Sequence, residues 1–242
     1  IQQDAILIGG NVIQHDGLIS RHYIYKTDQY WCAAVSDGVS SSPKAEQASK
    51  AVLNSVLAQS QTQTRIWLQK VQDDLSTALA SNSKTYGSSA TLAAVSSSIP
   101  HGFVNIHHVG DSRVYLFRSY NQQWYALTKD HNFITEMQQS GEIEIKEDEQ
   151  YASFYYMLNH CFCADSLHEV PEFKPQEQYL VEGDVLLICS DGVHDVLECT
   201  HWQPLLPEIP LKTWLTEMRN ALHQNHAFDN ASMILVRLIS TG

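Results

Sequence analysis

Apolar residues along the 242-residue chain fall into short runs bounded by Gly, Asn and Asp, interrupted by four stretches that read as helices. The first runs, AILIGG (5–10) and HYIYKTDQYWCAAVSDG (22–38), predict strands that meet turns. Residues 43–60 and 64–83 then change to a helical spacing. In the first of these, Ala48, Val52, Val56 and Leu57 form one face, and Pro43 stands near the start, where a missing N–H is tolerated. The faces around Trp67 and Trp214 read as core. Strand patterns return at 88–98, 102–110, 112–119 and 123–130, with Asn121 in the turn between the last two. Residues 131–141 predict a short helix closed by Gly141. Residues 142–175 are acidic and aromatic without a clear period. Residues 178–192 read as two strands around Gly183-Asp184, the second one buried; 211–225 as an amphipathic helix; and 231–239 as a closing strand. Strands and helices come in blocks, not in alternation, which predicts an α+β layered domain over a doubly wound parallel sheet.

With 43 % hydrophobic residues and no linker or repeat, the chain fits one domain over 1–242. It starts at Ile1, the expectation for a domain cut from a longer chain. No apolar run reaches the ~18 residues of a bilayer span, so no membrane insertion is expected from this segment. A formal charge of −12 argues against nucleic-acid binding. It also opposes any anionic substrate unless cations neutralise part of the acid. The five cysteines lack both disulfide-framework and zinc spacing: Cys32 and Cys189 sit in apolar runs, and Cys161-Phe162-Cys163 has no second pair. A reducing, cytoplasmic setting follows.

The acids repeat one setting. Asp37 follows CAAVS, Asp111 follows VNIHHVG, Asp191 follows VLLICS, and Asp229 precedes ASMILV. Four carboxylates at the ends of four apolar strands can be carried to one edge of a sheet, where hard cations such as Mg²⁺ or Mn²⁺ find oxygen ligands. Gly38 and Gly192 allow close turns, so a main-chain carbonyl can also face a cation. Each acid taken alone is more often a turn residue; four together weaken that reading.

The order of segments resembles the metal-dependent protein phosphatases of type 2C. AAVSDGVSSSPKAEQAS is similar to their Asp-Gly motif and following helix, GSSATLAAV to their Gly-Thr-Thr-Ala strand, and HHVGDSRVYLFR to Val-Gly-Asp-Ser-Arg. LTKDH, GDVLLICSDGVHDVL and DNASMILVRL follow in family order over nearly the whole chain. The resemblance implies a four-layer αββα sandwich, two central antiparallel sheets flanked by helices on both faces, as in compact bacterial members. It implies that Asp37, Asp191 and Asp229 form the catalytic core, with Asp37 bridging two Mn²⁺ or Mg²⁺ ions and the Gly38 carbonyl holding one. Asp111, with Asp195, would serve a weaker third site, and Asp16 occupies an acidic position near the N-terminus. A hydroxide between the metals would attack phosphoserine or phosphothreonine in a protein substrate. A cognate kinase, separate or fused, is the implied partner.

Asn11 stands where the family carries a phosphate-binding Arg, and His15 where Glu or Gln is usual. Loss of that charge-assisted contact costs roughly 1–3 kcal/mol of phosphate binding. Arg21 and Lys44 are substitutes in reach of the sequence argument. Asn11 and His15 also motivate an alternative, a weakly active or inactive pseudophosphatase that binds phosphoproteins. Retention of Asp37, Asp111, Asp191 and Asp229 counts against it. Arg113 is expected to pair with a carboxylate, Asp130-His131 to fix a loop, and the acidic run at 141–150 to form a solvated face near the substrate. His107 and His108, adjacent on a strand, point to opposite faces and cannot share one metal.

Overall fold

The computed structural model describes residues 2–15, 17, 22–26, 28–61, 66–98, 100–144, 151–227 and 229–239. Strands β1 (Ala5–Ile8), β2 (Asn11–Ile13) and β3 (Cys32–Ser36) precede helices α1 (Ala45–Gln61) and α2 (Leu68–Leu79). Strands β4 (Ser89–Ala90), β5 (Leu92–Ser97), β6 (Phe103–Val109), β7 (Arg113–Arg118) and β8 (Gln123–Ala126) follow, then α3 (Phe133–Ser140). The chain closes with β9 (Phe162–Cys163), β10 (Gln176–Tyr179), β11 (Val185–Cys189), α4 (Asp191–His194), α5 (Leu211–Gln224) and β12 (Met233–Arg237).

Two large antiparallel sheets result, one of six strands in the order β10-β6-β5-β3-β1-β2 and one of four in the order β12-β11-β7-β8, beside a two-stranded ribbon of β4 and β9. The period of two along β3 explains the layers. Cys32 and Ala34 face α1 and α2 through Val52, Leu53, Val56, Val71 and Leu75, while Ala33 and Val35 face the other sheet through Val114, Leu116, Leu186 and Ile188. On the outer side of the four-stranded sheet, Tyr115, Phe117 and Leu187 meet Trp202, Trp214 and Met218 of the α5 layer. The architecture is the αββα sandwich implied by the sequence.

Some local expectations change. The long strand expected over 22–38 shrinks to β3; Tyr23, Ile24 and Tyr25 carry no ladder and are exposed. Trp214 is core, but Trp67 is 66 % exposed: it stands one residue before α2 with extended backbone, outside the helix stripe. Asn132 caps α3 by accepting from Thr135 N (3.0 Å), and Gly141 ends it at φ +76°, as its position predicts. The two strands around Gly183 belong to different sheets, β10 beside β6 and β11 between β7 and β12. All five cysteines are free, with Cys32 and Cys189 buried.

Candidate metal-binding active site

The carboxylates gather at one end of the sandwich for a topological reason. β3 and β6 run in the same direction, since each pairs antiparallel with β5, so Asp37 and Asp111 leave the six-stranded sheet at one end. β11 and β12 are antiparallel, so the end of one and the start of the other, with Asp191 and Asp229, also share an end. The acids thus lie on edges of two sheets rather than one.

Short polar side chains fix the loops. Asp37 N donates to Thr91 Oγ1 (3.0 Å), and Thr91 N donates back to Asp37 O (2.8 Å). The same Thr91 hydroxyl meets Ser112 Oγ (2.7 Å), tying the Asp37 turn to the Asp111 turn. His194 Nε2 lies 3.0 Å from Asp111 O and joins α4 to that turn. A Cβ on Gly38 would collide with the Ala45 backbone, so glycine is required for close approach of the turn to α1.

One acid missing from the sequence reading completes the cluster. Asp4 is 1 % exposed, and its Oδ2 accepts from Ser190 Oγ (2.7 Å). The signal was available: in an antiparallel sheet, strand starts and strand ends share an edge, and Asp4 immediately precedes AILI. Asp37 contacts both Asp4 and Asp191. Buried Oδ1 atoms of Asp4 and Asp191 have no hydrogen-bond donor. Burial first, then the charges of Asp4 and Asp191, pushes Asp37 up to about 12. Burial, then Asp191 and Asp130, raises Asp111 to about 7, and burial outweighs its hydrogen bonds to bring Asp4 to about 6. Asp191 is raised, again mainly by burial.

Asp184 supplies the contrast. It also flanks a strand and is fully buried, yet Arg118 Nη1 (2.8 Å), Ser119 N (2.9 Å) and Val181 N (3.0 Å) all donate to it. Asp4, Asp37 and Asp191 instead face one another, and the nearby Arg113 is engaged bidentately by Asp130 at 2.6 Å. Buried and half-buried carboxylates that, among the described residues, pair with no Lys or Arg side chain suit an external cation, and oxygen-only donors suit a hard divalent one. Among the described residues, no three His, Cys, Asp or Glu side chains form a ready-made metal cage.

The remaining candidates are placed as follows. Asp229 is exposed, accepts from Asn230 N (2.7 Å) and acts on Asp191 through its charge. Asp195 is exposed, with Oδ1 3.0 Å from His194 Nδ1. Asn11 is exposed and its amide donates to Gly9 O (2.8 Å), capping the β1–β2 turn. Lys44 is exposed, at φ +47° just before α1. Asp16 and Arg21 lie outside the described residues, as do 145–150 of the acidic run. Arg113 pairs with a carboxylate as expected. His131 N donates to Gly110 O (2.9 Å) and its Nδ1 accepts from Gly110 N (3.2 Å), so Asp130-His131 braces the Asp111 turn. Beside this brace a cavity of about 550 Å³ opens, lined by Thr128, Asp130, His131, Glu136 and Phe173 but not by Asp37 or Asp191.

A pH dependence follows with a definite sign. Carboxyls whose folded pKa is raised stabilise the fold below the unfolded value, and that contribution disappears as pH rises through the folded value. In EDTA, melting temperature should therefore fall from about pH 4, where the unfolded carboxyls ionise, the Asp4 contribution being lost by about pH 6 and that of Asp111 by about pH 7. Burial and neighbouring imidazoles hold His108 at about 3 and His131 at about 4, so below about pH 6.5, where only the unfolded imidazoles take up protons, they oppose this fall, and the Asp111 step stands out best between about pH 6 and 7. Asp111→Asn should flatten the trend in a melting series; an equal slope in that variant would contradict the assignment.

The sequence model of the protein phosphatase 2C family matches residues 14–236 of the chain. No curated protein sequence matches it. Among solved structures, a serine/threonine phosphatase of S. agalactiae superposes with TM-score 0.75 at 18 % identity, over 99 % of this chain and 94 % of that one. Stp1 of Staphylococcus aureus gives TM-score 0.75 at 20 % identity, over 99 % and 90 %. The PstP catalytic domain in complex with two manganese ions gives 0.67 at 18 % identity, over 98 % and 100 %. At these identities the likeness is one of fold.

Proposed function

The chain belongs to the protein phosphatase 2C family, and from that premise we propose that it is a Mn²⁺- or Mg²⁺-dependent protein serine/threonine phosphatase. The observation that carries the metal dependence is the contact of the half-buried Asp37 and Asp191 with the buried Asp4, with donorless carboxylate oxygens on Asp4 and Asp191 and, among the described residues, no Lys or Arg side chain paired with them. Asp37, Asp191, Asp229 and the Gly38 carbonyl would hold the two core ions, with Asp111 and Asp195 at a third. Bound divalent cations supply positive charge that neutralises a phosphoryl group and acidifies water. The chain's own part is placement: Thr91 and Ser112 hold the Asp37 and Asp111 turns in register, and His194 fixes the Asp111 carbonyl. Cation binding also resolves how a chain of charge −12 accepts an anionic substrate.

A phosphorylated protein is the substrate class, and a serine/threonine kinase, separate or fused, would supply it. Free cysteines suit a reducing cytoplasm, and among the described residues no helix is long and apolar enough to cross a membrane. A second reading, a phosphoprotein-binding module without turnover, is favoured by one feature: the Asn11 amide is committed to its own hairpin turn. The deciding assay is hydrolysis of p-nitrophenyl phosphate and a phosphothreonine peptide after EDTA treatment, with Mn²⁺ or Mg²⁺ added back. Restored turnover is expected. A folded, Mn²⁺-binding protein that turns over neither substrate would establish the binding module instead.

A further inference from the structure

The cavity beside the Asp130-His131 brace carries one more conclusion. At about 550 Å³ it falls within the roughly 300–1,000 Å³ of small-molecule pockets. Ile106, on β6 of the six-stranded sheet, and Leu127, just after β8 of the other, line it and belong to the core between the sheets. Glu136 of α3 and residues 159–160 and 173–174 complete the lining used below.

Among the described residues, two polar atoms of this lining, His108 Nε2 and Asn159 Oδ1, are buried without a hydrogen-bond partner. Both are acceptors. Asn159 Nδ2 donates to Glu136 Oε2 (2.7 Å), so the amide oxygen is the atom left over. His108 bonds the backbone of Gly110 and Ser112 in the sense that raises its pKa, which is donation from Nδ1 to carbonyls. Burial still holds that pKa at about 3, so Nε2 is bare at neutral pH. The Glu136 carboxylate only accepts as well. Orphaned acceptors around a polar cavity suit an occupant rich in N–H donors. The wall beside them is aromatic: Phe173 stacks on His131 with centroids 4.2 Å apart, and His160 meets both edge-on at 5.5 and 5.7 Å. Lys129 and Lys174, both exposed, add positive charge to the same lining. The imidazoles do not converge on a metal: among the described residues no three His, Cys, Asp or Glu groups do, and His131 Nδ1 already accepts from Gly110 N (3.2 Å).

We propose that this cavity is a binding site for a guanine nucleotide. A guanine base carries N1–H and N2–H₂ donors side by side on one edge, the match for Glu136 and the two orphaned acceptors. Its flat face suits the aromatic wall, and its phosphate suits the two lysines. Adenine has a bare acceptor at N1 on the same edge, which a carboxylate repels. Neither Asp37 nor Asp191 lines the cavity, so the site does not depend on the metal-dependent reading above. Because His131 braces Gly110, next to Asp111, an occupant adjoins the support of the acid cluster without entering it.

Calorimetric titration of the intact chain with GMP and with AMP tests this, in EDTA at pH 8 so that no phosphate is held through a bound cation. GMP should bind saturably below about 1 mM, and AMP at least about tenfold more weakly. Glu136→Gln changes an exposed residue and keeps an acceptor for Asn159 Nδ2. It should weaken GMP by about tenfold or more, the loss of one charge-assisted hydrogen bond. Asn159→Ala keeps the backbone bond from Asn159 N to His131 O (3.0 Å) and should weaken GMP as well. A cavity that holds only water predicts no saturable binding of either nucleotide, and that result overturns the proposal. Equal affinity for GMP and AMP overturns it too, as does GMP affinity within twofold of wild type in both folded variants. If one variant does not fold, the other decides on the same criterion. The outcome in EDTA is separate from Mn²⁺-dependent turnover, so failure here leaves the phosphatase reading standing, and failure of that reading leaves this site standing.

Discussion

Asp37→Asn should lose turnover of p-nitrophenyl phosphate by a factor on the order of a thousand at saturating Mn²⁺, yet melt higher than wild type in EDTA. Both halves come from the same contacts. Asp37 lies against Asp4 and Asp191 in a place where burial alone disfavours its charge, and among the described residues no Lys or Arg side chain pairs with it. An amide there removes a carboxylate that the ion-free fold can keep only by taking up a proton, so the ion-free protein gains stability. With cations bound the balance reverses, because the carboxylate at the centre of the cluster is the one that faces both neighbours. A thousandfold loss corresponds to about 4 kcal/mol of transition-state stabilisation, within the range that a metal centre supplies. The checks are kcat/KM at saturating Mn²⁺ and a melting curve in EDTA at pH 8. Retention of activity within tenfold would show that Asp37 does not hold the reactive centre. A fall in melting temperature would show that its contacts are stabilising, contrary to the electrostatic argument.

The same opposition between stability and function explains which parts of the molecule were legible in the sequence. The near-continuous apolar runs CAAVS, VYLFR and VLLIC mark the inner strands, because each is buried on both faces and each face meets a different layer. Asp37, Asp111, Asp191 and Asp229 stood out because each adjoins such a strand. Asp4 adjoins AILI much as Asp229 adjoins its strand, but nothing in the sequence pairs AILI with CAAVS. Only the antiparallel pairing of β1 with β3 shows that a start and an end coincide there. Trp67 was misplaced for a comparable reason: a helical period does not reveal where the helix begins, and one residue outside it the ring escapes the stripe. The pairing of Arg113 with Asp130 was expected only as a class of interaction, since the partner lies beyond β7 and β8 and is brought back by the sheet. Asn11 was read through its place in a motif. The hairpin gives its amide a local partner that no spacing argument contains.

Gly192→Ala is expected to lower stability sharply at this end of the sandwich. A Cβ at 192 would sit 3.0 Å from Asn230 C and nearer still to its O, with Ala231 Cα at 3.4 Å. These are backbone atoms of the turn that carries Asp229, so no side-chain rotation can make room. The chain must instead push apart the β11 and β12 ends, where Ser190 and Ser232 exchange backbone and side-chain hydrogen bonds. Overpacking of this kind costs about 1–3 kcal/mol, or roughly 3–10 °C in melting temperature for a domain of this size. Turnover should fall as well, because the displaced turns carry Asp191 and Asp229. Gly141→Ala is the informative control. Gly141 occupies a left-handed φ of +76° with open space around it, so its substitution strains the backbone without touching the acids. It should lose about 1 kcal/mol and leave Mn²⁺ affinity unchanged. Equal effects of the two substitutions on Mn²⁺ affinity would mean that the contact between the Asp191 and Asp229 turns does not set the geometry of the site.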